Sequence, residues 1–159
     1  MERYQKVAEH KTLQFYMKQI ADLEKERIFC HHDWEHLLAV ARIAYILALE
    51  EGLDVSKDCI YAAALLHDIG KAAQYTKEIP HEIEGAKLAE TILRDCDYDE
   101  LEITQITDAI LAHRVYHKKG TLFQQILYRA DKLSRPCRDC QASAKCNWPE
   151  EKKNTGVIL

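Results

Sequence analysis

Residues 61–71 read Tyr61-Ala-Ala-Ala-Leu-Leu-His67-Asp68-Ile-Gly-Lys71, an apolar run that closes on an adjacent His-Asp pair. Ile60, Ala63, Ala64 and His67 recur at three and four residues, so a helix here turns one apolar face to the interior and carries the imidazole with it. Asp68 then sits at the edge of a core. Carboxylates are seldom buried unless paired or bound to a metal, because leaving water costs several kcal/mol without compensation. A His-Asp pair in this setting asks for a cation.

The same helical period continues on both sides. Gly (five) and Pro (three) are rare, and period-two alternation is hard to find, so the expected fold class is all-α. Helices are predicted over about 3–27, 34–51, 57–69, 82–96, 100–113 and 122–134, a bundle of about six. Asp33 can cap the second helix and Ser56 the third, Gly52 and Gly70 can end them, and Pro80 and Thr121 stand just ahead of later starts. At 159 residues, 47% apolar and 30% charged, the chain is expected to form one helical domain over 1–135. From Pro136 the composition turns to Cys, charged and small residues, and 136–159 is read as a tail or docked loop.

Other metal-capable side chains share the placement of His67. His36 lies on a stripe with Val40, Ile43 and Leu47; His113 with Ile103, Ile106 and Ile110; Asp131 with Phe123 and Leu127. Taken alone, a His on an apolar face is usually a hydrogen-bonded core residue, and Asp131 could pair at the surface with Lys132 or Arg129. Two His and two Asp at core-facing positions make a shared metal the better reading of the set.

His36 followed by Leu-Leu-Ala-Val-Ala, then Ala-Ala-Leu-Leu-His67-Asp68-Ile-Gly-Lys71, then Ala130-Asp131-Lys132-Leu133 resembles the H…HD…D signature of HD-domain metal-dependent phosphohydrolases, from about residue 30 to 135. The resemblance implies a helical bundle with His36, His67, Asp68 and Asp131 around a central metal. It extends to a dinuclear subgroup that includes symmetrical dinucleoside tetraphosphatases, for which His81 and His113 match the further ligands and Asp68 would bridge. Mixed imidazole and carboxylate ligands suit Mn, Fe, Co, Ni or Zn, as one ion or two. The expected activity is hydrolysis of a nucleotide or other small phosphorylated compound by metal-activated water, with Asp68 and Lys71 catalytic and with Lys71 and Arg114 facing phosphate. Ordinary solvated surface is an equal account of Lys71 and the plainer one of Arg114. A metal-binding helical scaffold and an HD-type diiron oxygenase stand as alternatives.

His32 stands four residues before His36, but if Asp33 caps the helix then His31 and His32 lie outside it, and His32 is expected to support the site from behind. His117, Lys118 and Lys119 could form a basic lip or a mobile loop. Cys137, Cys140 and Cys146 make a C-x2-C-x5-C run that, with Cys30 as fourth ligand, could bind a separate structural zinc stapling the tail; otherwise they are free thiols. Cys59 and Cys96 fall on apolar segments and are expected in the core. A net charge of −4 argues against broad nucleic-acid binding. No signal-like or membrane-spanning run is seen, and the expected location is the cytoplasm, with reduced thiols. Oligomeric state is not legible.

Overall fold

A computed structural model describes residues 2–157 and 159; Met1 and Ile158 lie outside it. Eight α-helices are found among the described residues: α1 Arg3–Glu9, α2 Lys11–Leu23, α3 Trp34–Glu51, α4 Lys57–Leu66, α5 Lys71–Lys77, α6 His81–Asp95, α7 Glu100–Ala112 and α8 Leu122–Leu133. No strand is present among these residues, so the all-α expectation holds with two more helices than anticipated. No helix is long and apolar enough to cross a membrane.

The local signals explain most boundaries. Asp33 accepts from the amide of His36, Ser56 from Cys59 and Thr121 from Gln124, while Gly52 ends α3 in the left-handed region at φ 68°. The single helix expected over 3–27 is instead two. His10 adopts an extended ψ of 128°, its Nδ1 accepts from Thr12 to cap α2, and its Nε2 reaches Asp95 Oδ2 at 3.2 Å. The helix expected to run to 69 stops at Leu66, and the unexpected α5 follows a turn through His67–Gly70. Gly70 does not terminate a helix; it stands at the N-cap of α5 with an ordinary φ of −76°. Its backbone lies so close to the start of α6 that a Cβ added there would sit 2.1 Å from His81 O and 2.7 Å from Gly85 N.

α3 packs on α4 and α8, α6 on α7, and α7 reaches both α4 and α8. Leu37, Val40, Ala63, Leu66, Ile106, Ile110 and Leu127 fill the space between them. Cys59 and Cys96 are buried in this core, as expected of small hydrophobes. The metal-capable residues lie among these helices, whose packing sets their spacing.

The chain's beginning is held by charge. Arg3 grips Glu102 through two bonds, Nη1 to Oε2 at 2.6 Å and Nη2 to Oε1 at 2.7 Å, and reaches Asp58 Oδ2 at 3.3 Å. The Arg3 hydrogen bonds hold the Glu102 carboxyl down at about 2 from the usual 4.5. A depressed carboxylate contributes stability above its unfolded value and loses it as pH falls toward the folded one. Glu102→Gln keeps the reciprocal cap with Asp99 but drops the charge. The variant is therefore expected to be less stable than the wild type at neutral pH by about 1–2 kcal/mol, a figure reduced for partial solvent exposure. The gap should close between about pH 5 and pH 2. Thermal melts across this range test it, and parallel curves would rule the pair out as a source of stability.

Residues 136–157 contain only two short 3-10 turns, Ser143–Lys145 and Glu150–Lys152. They fold back on α8, where Asn154 Nδ2 donates to the carbonyls of Lys132, Leu133 and Arg135 at 2.7, 3.3 and 3.0 Å.

Candidate metal centre

His67 is the C-cap of α4 and His113 the C-cap of α7, His36 lies in the first turn of α3, His81 opens α6, and Asp131 lies in the last turn of α8. Asp68 follows His67 in the turn that leads to α5. All six are buried, at 7% exposure or less. Helix ends are where side chains can converge without displacing a neighbouring helix, and five helices end or begin at one place here.

The polar atoms form two groups sharing one residue. His36, His67, Asp68 and Asp131 bring ligand atoms within 4.8 Å of one another, and Asp68, His81 and His113 do the same. In the first group, Asp68 Oδ2 lies 3.2 Å from His36 Nε2 and 2.9 Å from His67 Nε2, while Asp131 Oδ1 lies 3.3 and 3.6 Å from the same nitrogens. In the second, Asp68 Oδ1 lies 3.4 Å from His81 Nε2 and 3.6 Å from His113 Nε2. Thus the two oxygens of Asp68 face different groups.

Each imidazole is turned the same way. Nδ1 of His67 meets Ala64 O at 2.7 Å, Nδ1 of His113 meets Ile110 O at 2.6 Å, Nδ1 of His36 meets Ser134 Oγ at 3.1 Å, and Nδ1 of His81 meets Gln74 Oε1. Where the acceptor is a carbonyl, the proton must sit on Nδ1, which leaves Nε2 with a lone pair pointing inward. Metal-bound histidines are held by this kind of outer bond. Asp131 Oδ1, although near two ring nitrogens, is buried without a hydrogen-bond partner. An orphaned carboxylate oxygen facing inward lone pairs is what a cation would satisfy, so the residues present fit a metal.

The electrostatics agree in direction. Burial works against the charge on Asp68 and Asp131, yet His67 and the other imidazoles, with Lys132 beside Asp131, hold both carboxyls well below the usual range. Burial likewise opposes a charged His67, but Asp68 and Asp131 outweigh it and push the imidazole up to about 10, the carboxylates drawing a proton onto the same nitrogen that would otherwise offer its lone pair to a cation. His81 goes the other way, down to about 2, because burial prevails over the attraction of Asp68.

His32, expected only as a supporting residue, is also buried and aimed inward, with Nε2 4.0 Å from Asp68 Oδ2. Its Nδ1 and backbone amide both bond to Glu24, which accepts a further bond from Tyr75 at 2.6 Å. Sequence reading missed Glu24 and Tyr75, since Glu24 falls within the helix expected to run to 27. Lys71 lies in the field of Asp68 and Asp131, and burial lowers the pKa of its ammonium. Arg114 is turned instead to Glu82, 3.3 Å away, with 47% of its side chain exposed. The cation that sequence reading missed is Arg135, 11% exposed, with Nη2 3.6 Å from Asp131 Oδ1. His117, Lys118 and Lys119 line a separate hollow whose walls include none of the metal-capable residues. On another side, a cleft of about 580 Å³ runs between Ile28–His36 and Ser134–Cys140 and is lined by His36, alone of the six, and by Arg135.

The HD-domain family model matches residues 33–135. An uncharacterized protein of Clostridium beijerinckii is 45% identical over 154 residues, 97% of each chain. Ribonuclease Y of Geotalea uraniireducens is 33% identical over 118 residues, 74% of this chain but 21% of that protein, so the chain spans about a fifth of that relative's length. The crystal structure of a predicted HD superfamily hydrolase from an uncultured Thermotogales bacterium superposes with a TM-score of 0.65 at 24% identity, covering 90% of this chain and 79% of the other.

Proposed function

The chain belongs to the HD-domain family, and from that premise we propose that it is a metal-dependent phosphohydrolase acting on a nucleotide or another small phosphorylated compound. The observation that carries the reading is Asp68, whose two oxygens face two groups of inward lone pairs. His36, His67, Asp68 and Asp131 would hold one divalent ion, and Asp68, His81 and His113 a second. Bound metal supplies a Lewis acid to phosphoryl oxygen and lowers the pKa of the water that attacks phosphorus.

The chain's own residues do the rest. The Nδ1 bonds fix the imidazoles before substrate arrives, which limits reorganisation during reaction. Lys71 and Arg135 place positive charge beside the carboxylates, and a planar guanidinium suits bidentate contact with phosphate. Glu24, bonded to Nδ1 and the amide of His32, holds that imidazole with Nε2 toward Asp68, where it can bond to substrate or water. The cleft beside His36 and Arg135 is the side from which a phosphate would approach. The likeness to ribonuclease Y over the HD region supports a second reading, cleavage of a phosphodiester, while the net charge of −4 supplies no broad basic footprint for long nucleic acid.

Chelator-stripped chain reloaded in turn with Mn, Co, Ni, Fe or Zn and offered nucleotides, phosphate monoesters and a short RNA tests both. Metal-dependent release of phosphate from small substrates is expected; cleavage of RNA alone would select the second reading. Oxygen uptake without hydrolysis would replace both with an oxygenase.

A further inference from the structure

Residues 136–157 hold their course with almost no apolar interior, Ala142 being the one buried apolar residue among them. A segment of this length without a core needs another source of order. Its path is a series of tight turns. The amide of Cys140 donates to Cys137 O at 3.3 Å, that of Ser143 to Cys140 O at 3.1 Å and that of Cys146 to Ser143 O at 3.2 Å. Cys137, Cys140 and Cys146 come round to a single cavity of about 380 Å³, and Cys30, from the segment ahead of α3, lines it too. All four are free thiols.

Three further features suit a thiolate centre. The amide of Trp148 donates to Cys146 Sγ at 3.5 Å, a bond that favours the sulfur as an anion. Arg27, Arg135, Lys145 and Lys153 line the same cavity, and four thiolates outweigh the charge of a divalent ion. Lastly, the C-x2-C spacing is a common one in metal sites. Four cations lining one cavity with four thiols suit thiolates better than neutral thiols.

We propose that Cys30, Cys137, Cys140 and Cys146 together bind a soft metal centre that fastens residues 136–157 to the helical bundle. The inference does not depend on the hydrolase reading. Among the described residues, the groups of ligand atoms gathered within 4.8 Å are the two at the HD centre, so no three of these thiols are that close. A tetrahedral zinc with Zn–S bonds of about 2.3 Å would draw its sulfurs to about 3.8 Å. An iron–sulfur cluster, also held by four cysteines, spans more space and requires less inward movement. The centre would also bear on the active site, because the stapled segment begins directly after Ser134 and Arg135, which touch His36 and Asp131.

The test is elemental analysis of untagged chain purified without oxygen, with acid-labile sulfide and a visible spectrum, for wild type, Cys140→Ser and, as control, Cys59→Ser. The expected result is metal beyond that of the HD centre, absent from Cys140→Ser and retained in Cys59→Ser, with helical circular dichroism unchanged. Iron lost together with sulfide and visible absorption identifies a cluster; zinc lost alone identifies a single ion. Equal metal in wild type and Cys140→Ser overturns the proposal. A measurement on wild type alone guards against misfolding of the variant: four thiols should resist alkylation in the native chain and become reactive on metal removal. Reaction at the same rate before and after would overturn it as well.

Discussion

Asp68→Asn is expected to abolish metal-dependent hydrolysis, lowering kcat by about a thousandfold or more, while helical circular dichroism stays at the wild-type level. The size follows from what one carboxylate does: metal charge stabilisation is worth several kcal/mol, and each 1.4 kcal/mol or so is a factor of ten in rate. Asp68 alone joins the two ligand groups, Oδ2 facing His36 and His67, Oδ1 facing His81 and His113. Asn preserves shape but replaces one oxygen by an NH2 that cannot ligate and leaves the other a neutral, weaker ligand. Elemental analysis should therefore show both ions weakened. His113→Ala is a contrast, since it touches only the second group and should leave about one ion per chain. Asp68→Asn protein that kept both ions and normal turnover would show that Asp68 does not link the groups.

Gly70→Ala is expected to be the most damaging single methyl group that can be added to this chain at a glycine. The new Cβ would fall 2.1 Å from His81 O and 2.7 Å from Gly85 N, both backbone atoms, so no side chain can rotate out of the way. The start of α6 must move, at a cost of about 3 kcal/mol for overpacking of this severity, equivalent to roughly 6–12 °C in Tm for a chain of this size. The same movement carries His81 away from Asp68, so loss of the second metal should accompany the loss of stability. Gly156→Ala, with nothing within 4 Å, is the matched control and should melt with the wild type. A Gly70→Ala variant within about 1 °C of wild type would mean that the α5–α6 approach is looser than described.

Gly70 also marks where reading residues in order reaches its limit. From spacing alone it looks like a helix stop, and the turn does fall there, but what demands glycine is a neighbour eleven residues away in sequence. His36, His67, His113 and Asp131 were legible because each is a polar residue on an otherwise apolar stripe, a local anomaly that periodicity exposes, and Asp68 because it adjoins His67 at the close of an apolar run. His81 has no such stripe, and resemblance alone marked it. Asp33 and Ser56 were legible as caps, and Thr121 as the residue just ahead of a helix start, because a cap acts within three residues. Glu24 and Tyr75 were not, since their partners lie eight and fifty-one residues away, and Arg135, though only four residues from Asp131, falls just past the end of the last expected helix, where periodicity assigns no face. The break at His10 escaped for the same reason, as the imidazole bridges to Asp95 across the fold. Arg114, beside a candidate ligand in sequence, spends its charge on Glu82.

His67 and His113 have a consequence for protein engineering. Each stands one residue past the end of its helix and bonds through Nδ1 to a carbonyl three residues back, in that helix's own last turn. Helix ends leave such carbonyls short of partners. A histidine at this position therefore carries its own orienting group, and the aim of its Nε2 is set by where the helix stops rather than by a separately evolved neighbour. Such a unit is self-contained: it could be transplanted to the end of another helix, and lengthening the donor helix by one turn would uncouple the ring from its tether and turn it elsewhere.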